Sequence, residues 1–193
     1  MASHPARCLL ALLASAYCIS AASFRNLDSS WKTYSDRKLG FCVEYPSHWV
    51  RASAFDGDGM YVETGVKKFS LPIGEIDVSI VRDGVVPPED YIKLHVESLR
   101  KFERAQDVEV LETRPITLHD LSGVLTRNRY FDPQDAKPWI DELVVVMQRD
   151  NGKIYRLELE CRADAVQRFE AVFARVLNSF QLDCNDRHGF SRP

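Results

Sequence analysis

The sequence predicts an α+β fold: a single domain with an antiparallel β-sheet of about six strands flanked by helices. Short runs of alternating apolar and polar residues recur along the chain, which is typical of strands with one buried face. Two longer segments, 87–104 and 164–179, carry apolar residues at helical spacing. Turn-forming residues separate most of the strands, and such short connections favour antiparallel hairpins.

The first predicted strand follows turn chemistry at residues 36–40. Its alternation places Phe41, Val43 and Tyr45 on one face. Pro46 ends the strand because proline cannot donate a hydrogen bond to the ladder. The other predicted strands cover residues 60–63, 75–82, 108–118, 123–131, 140–149 and 153–161.

The last two of these strands give the clearest hairpin pattern. Asn151 and Gly152, which lie between them, are the pair favoured in two-residue type I′ turns. Val144, Val145 and Val146 are apolar on both faces of the first strand of this hairpin. This predicts a central strand that is covered on both sides.

Both helices carry start signals. The first is predicted to begin at Pro87 and Pro88, followed by acids that complement the helix dipole. Its apolar stripe comprises Tyr91, Leu94, His95, Ser98, Leu99 and Phe102. Asp164 is predicted to cap the second helix, with Gln167 reaching back. The buried stripe of that helix comprises Val166, Phe169, Val172, Phe173, Val176 and Leu177, and Phe180 continues it.

Residues 1–22 have the order of a secretory signal peptide. Arg7 precedes an apolar run over residues 8–19, and small residues ending at Ala22 follow. The run is shorter than the ~20 residues that span a bilayer. We therefore expect cleavage after Ala22, a mature domain of residues 23–193, and an extracytoplasmic protein, either periplasmic or secreted.

Two other fates of the N-terminus stay open. A bacterial lipoprotein would be cleaved before Cys18, but its peptidase requires a small residue where this chain has Tyr17. The leader could also be retained as an anchor, although its apolar run is short. We expect membrane association only in these cases. No nucleic-acid partner is expected, because the net charge is −3 and the basic residues of 100–104 alternate with acidic ones.

Signature positions lie near both ends of the predicted domain: Tyr34, Asp36, Gly40, Phe41, Tyr45, Pro46 and Trp49, and then Asn178, Ser179 and Phe180. Together with the order of the elements, they resemble the PsbP-like fold family. This family includes a photosystem accessory protein, a fungal Ran-binding import factor and many exported bacterial proteins. The resemblance covers residues 31–182. It implies a scaffold that binds protein surfaces and has no shared catalytic centre, and it supplies no functional residues.

Three cysteines remain once Cys8 and Cys18 leave with the leader. In an oxidising compartment, an odd number suggests one disulfide and one free thiol. Cys161 precedes the last helix and Cys184 follows it, about 22 Å further on, whereas a disulfide tolerates about 7 Å between Cα atoms. A Cys161–Cys184 disulfide would require the tail to double back along the helix. We therefore expect a Cys42–Cys184 disulfide, with Cys161 as a buried free thiol.

Metal and catalytic motifs are missing from the local sequence. The histidines of the mature chain are His48, His95, His119 and His188, and none has a partner ligand at metal-binding spacing. His95 is interpreted as a packing residue. Residues 56–59 alternate Asp and Gly but lack the further acids of a calcium loop, and Ser122-Gly123 is only a fragment of a hydrolase motif. We expect no metal, no cofactor and no catalytic residue.

Three aromatic residues, Tyr130, Phe131 and Trp139, lie at the two ends of a proline-rich loop. Aromatic residues are over-represented at interface hot spots, so these three are candidates for partner binding. Alternatively, Phe131 and Trp139 cap the core where two strands meet.

The sequence thus predicts an exported, non-enzymatic accessory domain that binds a protein partner or an envelope complex. Two alternatives stay open: an exported hydrolase with a site of dispersed carboxylates and histidines, and a carrier of a small apolar ligand. An acidic cleft with shifted carboxylates would favour the hydrolase. A closed apolar cavity would favour the carrier, and an exposed aromatic patch would favour the binding protein.

Overall fold

The structure is a computed structural model that describes residues 30–53, 59–64, 73–81, 86–101, 105–133, 139–149 and 151–184. The predicted leader and most of the predicted turn at 56–59 lie outside these ranges. Within the described residues, no helix combines the length and the apolar character that crossing a bilayer requires.

Ten strands and two α-helices are formed by the described residues. In chain order they are β1 (Trp31–Asp36), β2 (Phe41–Pro46), β3 (Val50–Ser53), β4 (Gly59–Glu63), β5 (Gly74–Val81), α1 (Pro88–Lys101), β6 (Gln106–Leu118), β7 (Leu121–Phe131), β8 (Trp139–Gln148), β9 (Ile154–Arg162), α2 (Val166–Ser179) and β10 (Gln181–Leu182).

The strands form two antiparallel sheets, a small one with the order β1-β2-β10 and a large one with the order β3-β4-β5-β9-β8-β7-β6. Helix α1 packs on one face of the large sheet, against β7 and β8. Helix α2 and strand β2 cover the other face, where the main core lies. The largest fully buried side chains of that core include Phe41, Tyr155, Phe169, Phe173 and Phe180.

The α+β class and the antiparallel sheet of about six strands are confirmed, and the structure adds a second, smaller sheet. The large sheet has seven strands, and the small sheet adds three. The sequence pattern did not reveal β1, β3 and β10. Strand β10 has two residues, which is too short for any periodicity, and β1 buries none of its side chains fully.

Helix α1 spans Pro88–Lys101, and residues 102–104 of the predicted helix lie outside the described residues. Its apolar contacts come from Ile92, Val96 and Leu99, which have the i, i+4, i+7 spacing of one helix face. The predicted stripe is wrong at Leu94, which is 55% exposed because it lies away from that face.

Helix α2 follows a 3₁₀ turn over Ala163–Ala165, so the predicted cap is also wrong. Asp164 lies inside this turn, and the residue at the N-cap is Ala165, which makes no side-chain capping bond. The buried stripe of α2 is confirmed: Val166, Phe169, Val172, Phe173 and Val176 are buried, and Phe180 continues the face.

The hairpin of β8 and β9 is confirmed, and Val144, Val145 and Val146 are fully buried. The predicted two-residue turn is wrong. Arg149 N donates to Lys153 O at 2.9 Å, which closes a three-residue loop. Gly152 in this loop has a φ of +81°, and a left-handed glycine in the third loop position is typical of three-residue hairpins.

Candidate functional site beneath helix α1

The face of the large sheet that α1 covers carries an unusual number of ionisable side chains. Successive residues of a strand point to opposite faces, so the leucines of β9 enter the α2 core while its charged residues point toward α1. The register aligns acids from three neighbouring strands. We call this surface the ionisable face, and its acids are Glu75 and Asp77 of β5, Glu142 of β8, and Glu158 and Glu160 of β9.

His95 of α1 contacts this face through Glu142. His95 Nε2 lies 2.9 Å from Glu142 Oε1, and Asn128 Nδ2 donates to Glu142 Oε2 at 2.7 Å. Both Asn128 and Glu142 are almost fully buried. Burial alone would lower the pKa of His95, but the hydrogen bond and the charge of Glu142 outweigh it and raise the pKa. His95 is therefore more than the packing residue that the sequence suggested.

Arg156 of β9 contributes a cation to the ionisable face. Its Nη2 donates to Asp77 Oδ1 at 3.1 Å, its Nη1 donates to Tyr91 Oη at 3.4 Å, and its Nε lies 3.4 Å from Glu158 Oε2. Glu158 Oε2 is buried and accepts no hydrogen bond from the described protein groups. Burial raises the pKa of Glu158 to about 7, although Arg156 pulls it down.

Glu160 lies two residues further along β9, on the same face as Glu158. Burial raises its pKa to about 8, and the negative charges of Glu75 and Glu158 add to this rise. A hydrogen bond with Tyr130 acts in the opposite direction, and the pKa of Tyr130 is itself raised by burial and by Glu160. On the neighbouring strand β5, Glu75 Oε2 accepts a 2.6 Å hydrogen bond from Tyr61 Oη of β4.

Many of the ionisable groups of this face are acidic, and α1 excludes much of the water. Burial raises the pKa of Glu75, Glu158 and Glu160. Ionised carboxylates are costly there, so the face favours protonation or the binding of a cation. The arrangement can therefore hold protons near neutral pH or coordinate a positive ion.

The structure separates the three predicted partner-binding aromatics. Tyr130 is buried beneath α1 and is 6% exposed, so it belongs to the ionisable face. Phe131 and Trp139 face each other across β7 and β8, with ring centroids 5.5 Å apart in an edge-to-face arrangement. Trp139 is 43% exposed.

Arg129 adjoins this aromatic pair on the same face of the sheet. Its Nε donates to Asp141 Oδ1 at 2.5 Å and its Nη2 donates to Asp141 Oδ2 at 2.9 Å, so the fully buried Asp141 fixes the guanidinium. We call Arg129, Phe131 and Trp139 the aromatic patch. It lies beside α2, whose Glu170 pairs with the neighbouring Arg127 at 2.8 Å.

The described cysteines lie in two places: Cys161 of β9 is the register partner of Asp141, and Cys42 lies in β2 of the small sheet. In the structure Cys42 and Cys184 form a disulfide, with their Cα atoms 5.9 Å apart, and Cys161 is buried and free. Strand β10 brings the tail back to β2, where Gln181 is the register partner of Cys42. Burial, followed by the charges of Asp141 and Glu160, raises the pKa of the Cys161 thiol to about 12.

Local sequence patterns did not reveal the ionisable face, because its residues come from five separate elements. Glu158 and Glu160 alternate with leucines, which is also the pattern of a strand with a solvated face. The signal that could have found the face is the run of valines at 144–146. These valines predict that both faces of the sheet are covered by other elements. The acidic residues next to them must then also be buried.

Comparison with solved structures supports the fold and nothing finer. The cyanobacterial PsbP (CyanoP) of Synechocystis sp. PCC 6803 is similar over 80% of this chain and 93% of its own, with a TM-score of 0.59 and 16% identity. The Saccharomyces cerevisiae Ran-binding protein Mog1p is similar over 80% and 96%, with a TM-score of 0.56 and 10% identity. A Pseudomonas aeruginosa protein of unknown function, described as a putative regulator, gives a TM-score of 0.50 at 12% identity, over 77% and 94%. No protein-family model and no curated protein sequence matches the chain.

Proposed function

Because this chain has the PsbP-like fold, we propose that it is an exported, non-enzymatic accessory domain that binds a protein partner through the aromatic patch. One of the proteins with this fold is named as Ran-binding. At such low sequence identity the similarity indicates a shared fold and does not identify the binding partner. The binding surface must therefore be argued from the residues of this chain.

The observation that carries the proposal is the exposed Trp139 beside Phe131 and Arg129. Tryptophan and arginine are the residue types most enriched at interface hot spots, and hot spots lie where the side chains are held rigid. Phe131 packs against the indole, and Asp141 fixes Arg129 through two hydrogen bonds. A rigid aromatic and guanidinium surface suits a partner that presents apolar and acidic side chains.

Export is supported by two independent features. The leader pattern of residues 1–22 predicts secretion, and the Cys42–Cys184 disulfide is stable in an oxidising compartment. N-terminal sequencing of the extracytoplasmic protein tests the first feature, and we expect Ser23. A sequence starting at Met1, or a lipid-modified Cys18, would contradict it.

Site-specific photo-crosslinking in the native compartment tests the binding surface. A photoreactive phenylalanine analogue at position 139 should capture a defined partner, whereas the same analogue at Leu94 should not. Leu94 is a matched control because it is apolar and 55% exposed but lies on α1, across the sheet from the patch. Trp139→Ala should weaken binding of the captured partner by about 30-fold, as for a hot-spot residue. Equal binding by Trp139→Ala and wild type would refute the proposed surface.

A second candidate function, an exported hydrolase, is favoured by the ionisable face. Glu158 and Glu160 have pKa values of about 7 and 8, within the range in which carboxylates transfer protons at neutral pH. A panel of ester, glycoside and peptide substrates tests this candidate. Turnover by the wild type that Glu160→Gln abolishes would favour the hydrolase over the binding domain.

A further inference from the structure

Three potential metal ligands meet on the ionisable face. They are His95 of α1, Glu142 of β8 and Glu158 of β9, and one ligand atom of each lies within 4.8 Å of the other two. We propose that these residues form a binding site for one divalent transition-metal ion of the zinc type. The site is distinct from the aromatic patch, which lies on the other face of the sheet.

The distances suit zinc-type coordination. Zinc binds imidazole nitrogen and carboxylate oxygen at about 2.0 to 2.2 Å, so two ligands of a tetrahedral ion lie about 3.4 Å apart. His95 Nε2 and Glu142 Oε1 are 2.9 Å apart. They need to separate by only about 0.5 Å for an ion to replace their hydrogen bond. Calcium is a poor candidate, because it takes six to eight oxygen ligands.

Glu158 supplies an independent reason to expect a ligand. Its Oε2 is buried and accepts no hydrogen bond from the described protein groups, and the nearest cation, Arg156 Nε, is 3.4 Å away. A buried carboxylate oxygen without a hydrogen-bond donor is costly, and a metal ion relieves that cost. The side chains of His95 and Glu158 are 9% and 17% exposed, which gives an ion a path from solvent.

The residues behind the ligands have the arrangement of an outer coordination shell. Asn128 donates a 2.7 Å hydrogen bond to Glu142 Oε2 and so leaves Oε1 directed at His95. Thr126 Oγ1 in turn donates to Asn128 Oδ1 at 3.3 Å, which fixes the orientation of the amide. Such outer hydrogen bonds orient metal ligands and raise affinity.

The charge of the surroundings also favours a dication. Glu142 is almost fully buried and the side chain of Glu158 is 17% exposed, and a bound divalent ion would neutralise these two anionic ligands. One imidazole and two carboxylates leave a coordination position open for water, as in zinc sites with three protein ligands. Mixed nitrogen and oxygen ligands of this kind suit zinc and its neighbours in the first transition series.

Calorimetric titration of the mature, disulfide-intact protein with Zn²⁺ tests the proposal, and Co²⁺ absorption spectroscopy reports on the ligands directly. We expect one ion per chain and a visible Co²⁺ spectrum typical of low coordination number. Loss of an outer-shell hydrogen-bond partner typically weakens metal binding about 10- to 100-fold. His95→Ala and Glu158→Gln remove a ligand itself, so each should weaken Zn²⁺ binding by at least that factor. Asn128→Ala should fall within that range.

Two matched variants exclude adventitious binding. His119→Ala removes an exposed histidine, and Glu97→Gln removes an exposed carboxylate of α1. Both should bind Zn²⁺ like the wild type. Circular dichroism monitors folding, and the isosteric Glu158→Gln decides the matter if His95→Ala does not fold. Absence of stoichiometric Zn²⁺ and Co²⁺ binding would overturn the proposal, and so would wild-type affinity in Glu158→Gln.

Discussion

Asp141 and Glu142 are consecutive residues of β8, and their buried carboxylates serve opposite faces of the same sheet. Asp141 accepts two hydrogen bonds from Arg129 of the aromatic patch, whereas Glu142 accepts one from Asn128 on the ionisable face. One pair of neighbouring strands therefore holds both candidate surfaces in place.

Asp141 should stabilise the fold only while it is ionised. Burial alone would raise its pKa, but hydrogen bonds from Arg129 and Arg127 hold the pKa below its usual value. Its contribution is complete above the unfolded pKa of about 3.9 and is lost as the pH falls through the lower folded pKa. We expect Asp141→Asn to reduce the free energy of unfolding by about 2 kcal/mol at pH 7, as measured by urea denaturation.

The Asp141→Asn difference should shrink steadily below about pH 4. Glu112→Gln is the control, because Glu112 pairs with Arg114 on the surface and both are about half exposed. Exposed pairs contribute about 0.2 to 1 kcal/mol. A loss for Asp141→Asn that is equally large at pH 7 and pH 2 would rule out the ionised carboxylate as its cause.

Glu160 should have the opposite pH dependence. Its folded pKa of about 8 exceeds the unfolded value of about 4.3, so the folded state holds a proton that the unfolded state releases. Stability must then fall as the pH rises from about 4.3 to about 8. Glu160→Gln removes this titration and should be more stable than the wild type by up to about 5 kcal/mol at pH 8, measured by denaturation in EDTA.

At pH 4 the advantage of Glu160→Gln should disappear, because the wild-type side chain is then protonated in both states. The matched control is Glu97→Gln on α1, whose side chain is 56% exposed. Its stability curve should run parallel to that of the wild type. A Glu160→Gln curve that also runs parallel to the wild type would mean that Glu160 titrates normally.

The disulfide-bonded cysteines and Cys161 should be distinguished by their chemistry. Non-reducing peptide mapping should give a cross-linked peptide containing Cys42 and Cys184, and Cys161 should resist alkylation at pH 8 until the protein is denatured. The thiolate is the reactive form, and the pKa of Cys161 is raised to about 12 by burial. Cross-linked Cys161, or its rapid alkylation in the native protein, would contradict this assignment.

Loss of the disulfide should also be costly. The bond joins residues 142 positions apart, and closing so long a loop restricts the unfolded chain by about 5 kcal/mol in the loop-entropy model. We expect the Cys42→Ser and Cys184→Ser double variant to lose several degrees of Tm at least. Cys161→Ser tests for a general effect of replacing cysteine and should keep the disulfide intact.

Amide exchange should be slowest in the middle of β8. Val145 is fully buried, lies between β7 and β9 in the large sheet, and has a helix on each side. Its amide should exchange only on global unfolding, whereas amides of the edge strand β6 should exchange by local opening. The measurement is hydrogen exchange by NMR, and fast exchange at Val145 would contradict its place in the core.

Elements of the fold could be predicted from the sequence where a run of neighbouring residues carried a clear apolar pattern. Helix α2 packs an unbroken apolar core, so its stripe from Val166 to Val176 matched the structure closely. Helix α1 packs on a polar surface, so its stripe mixes Ile92 with His95 and was assigned incorrectly at Leu94. Strand β10 has two residues, and only its pairing with β2 defines it.

The ionisable face was beyond a search for local motifs. His95 and Glu158 are 63 positions apart in the chain, and only the crossing of α1 over the sheet brings them together. Acids that alternate with leucines are normally solvated, so nothing in β9 alone marks Glu158 as buried. Sheet register and helix placement, which carry this information, are properties of the folded chain.

Strand β6 is a free edge of the large sheet, and nearly all of its side chains are exposed. A long unpaired edge can recruit strands from other copies and start aggregation. Here the register shifts between Gln106 and Glu109 and between Val110 and Glu112, and Pro115 offers no N–H group. These interruptions break the template into short pieces, so the edge is protected against strand-by-strand polymerisation at high protein concentration.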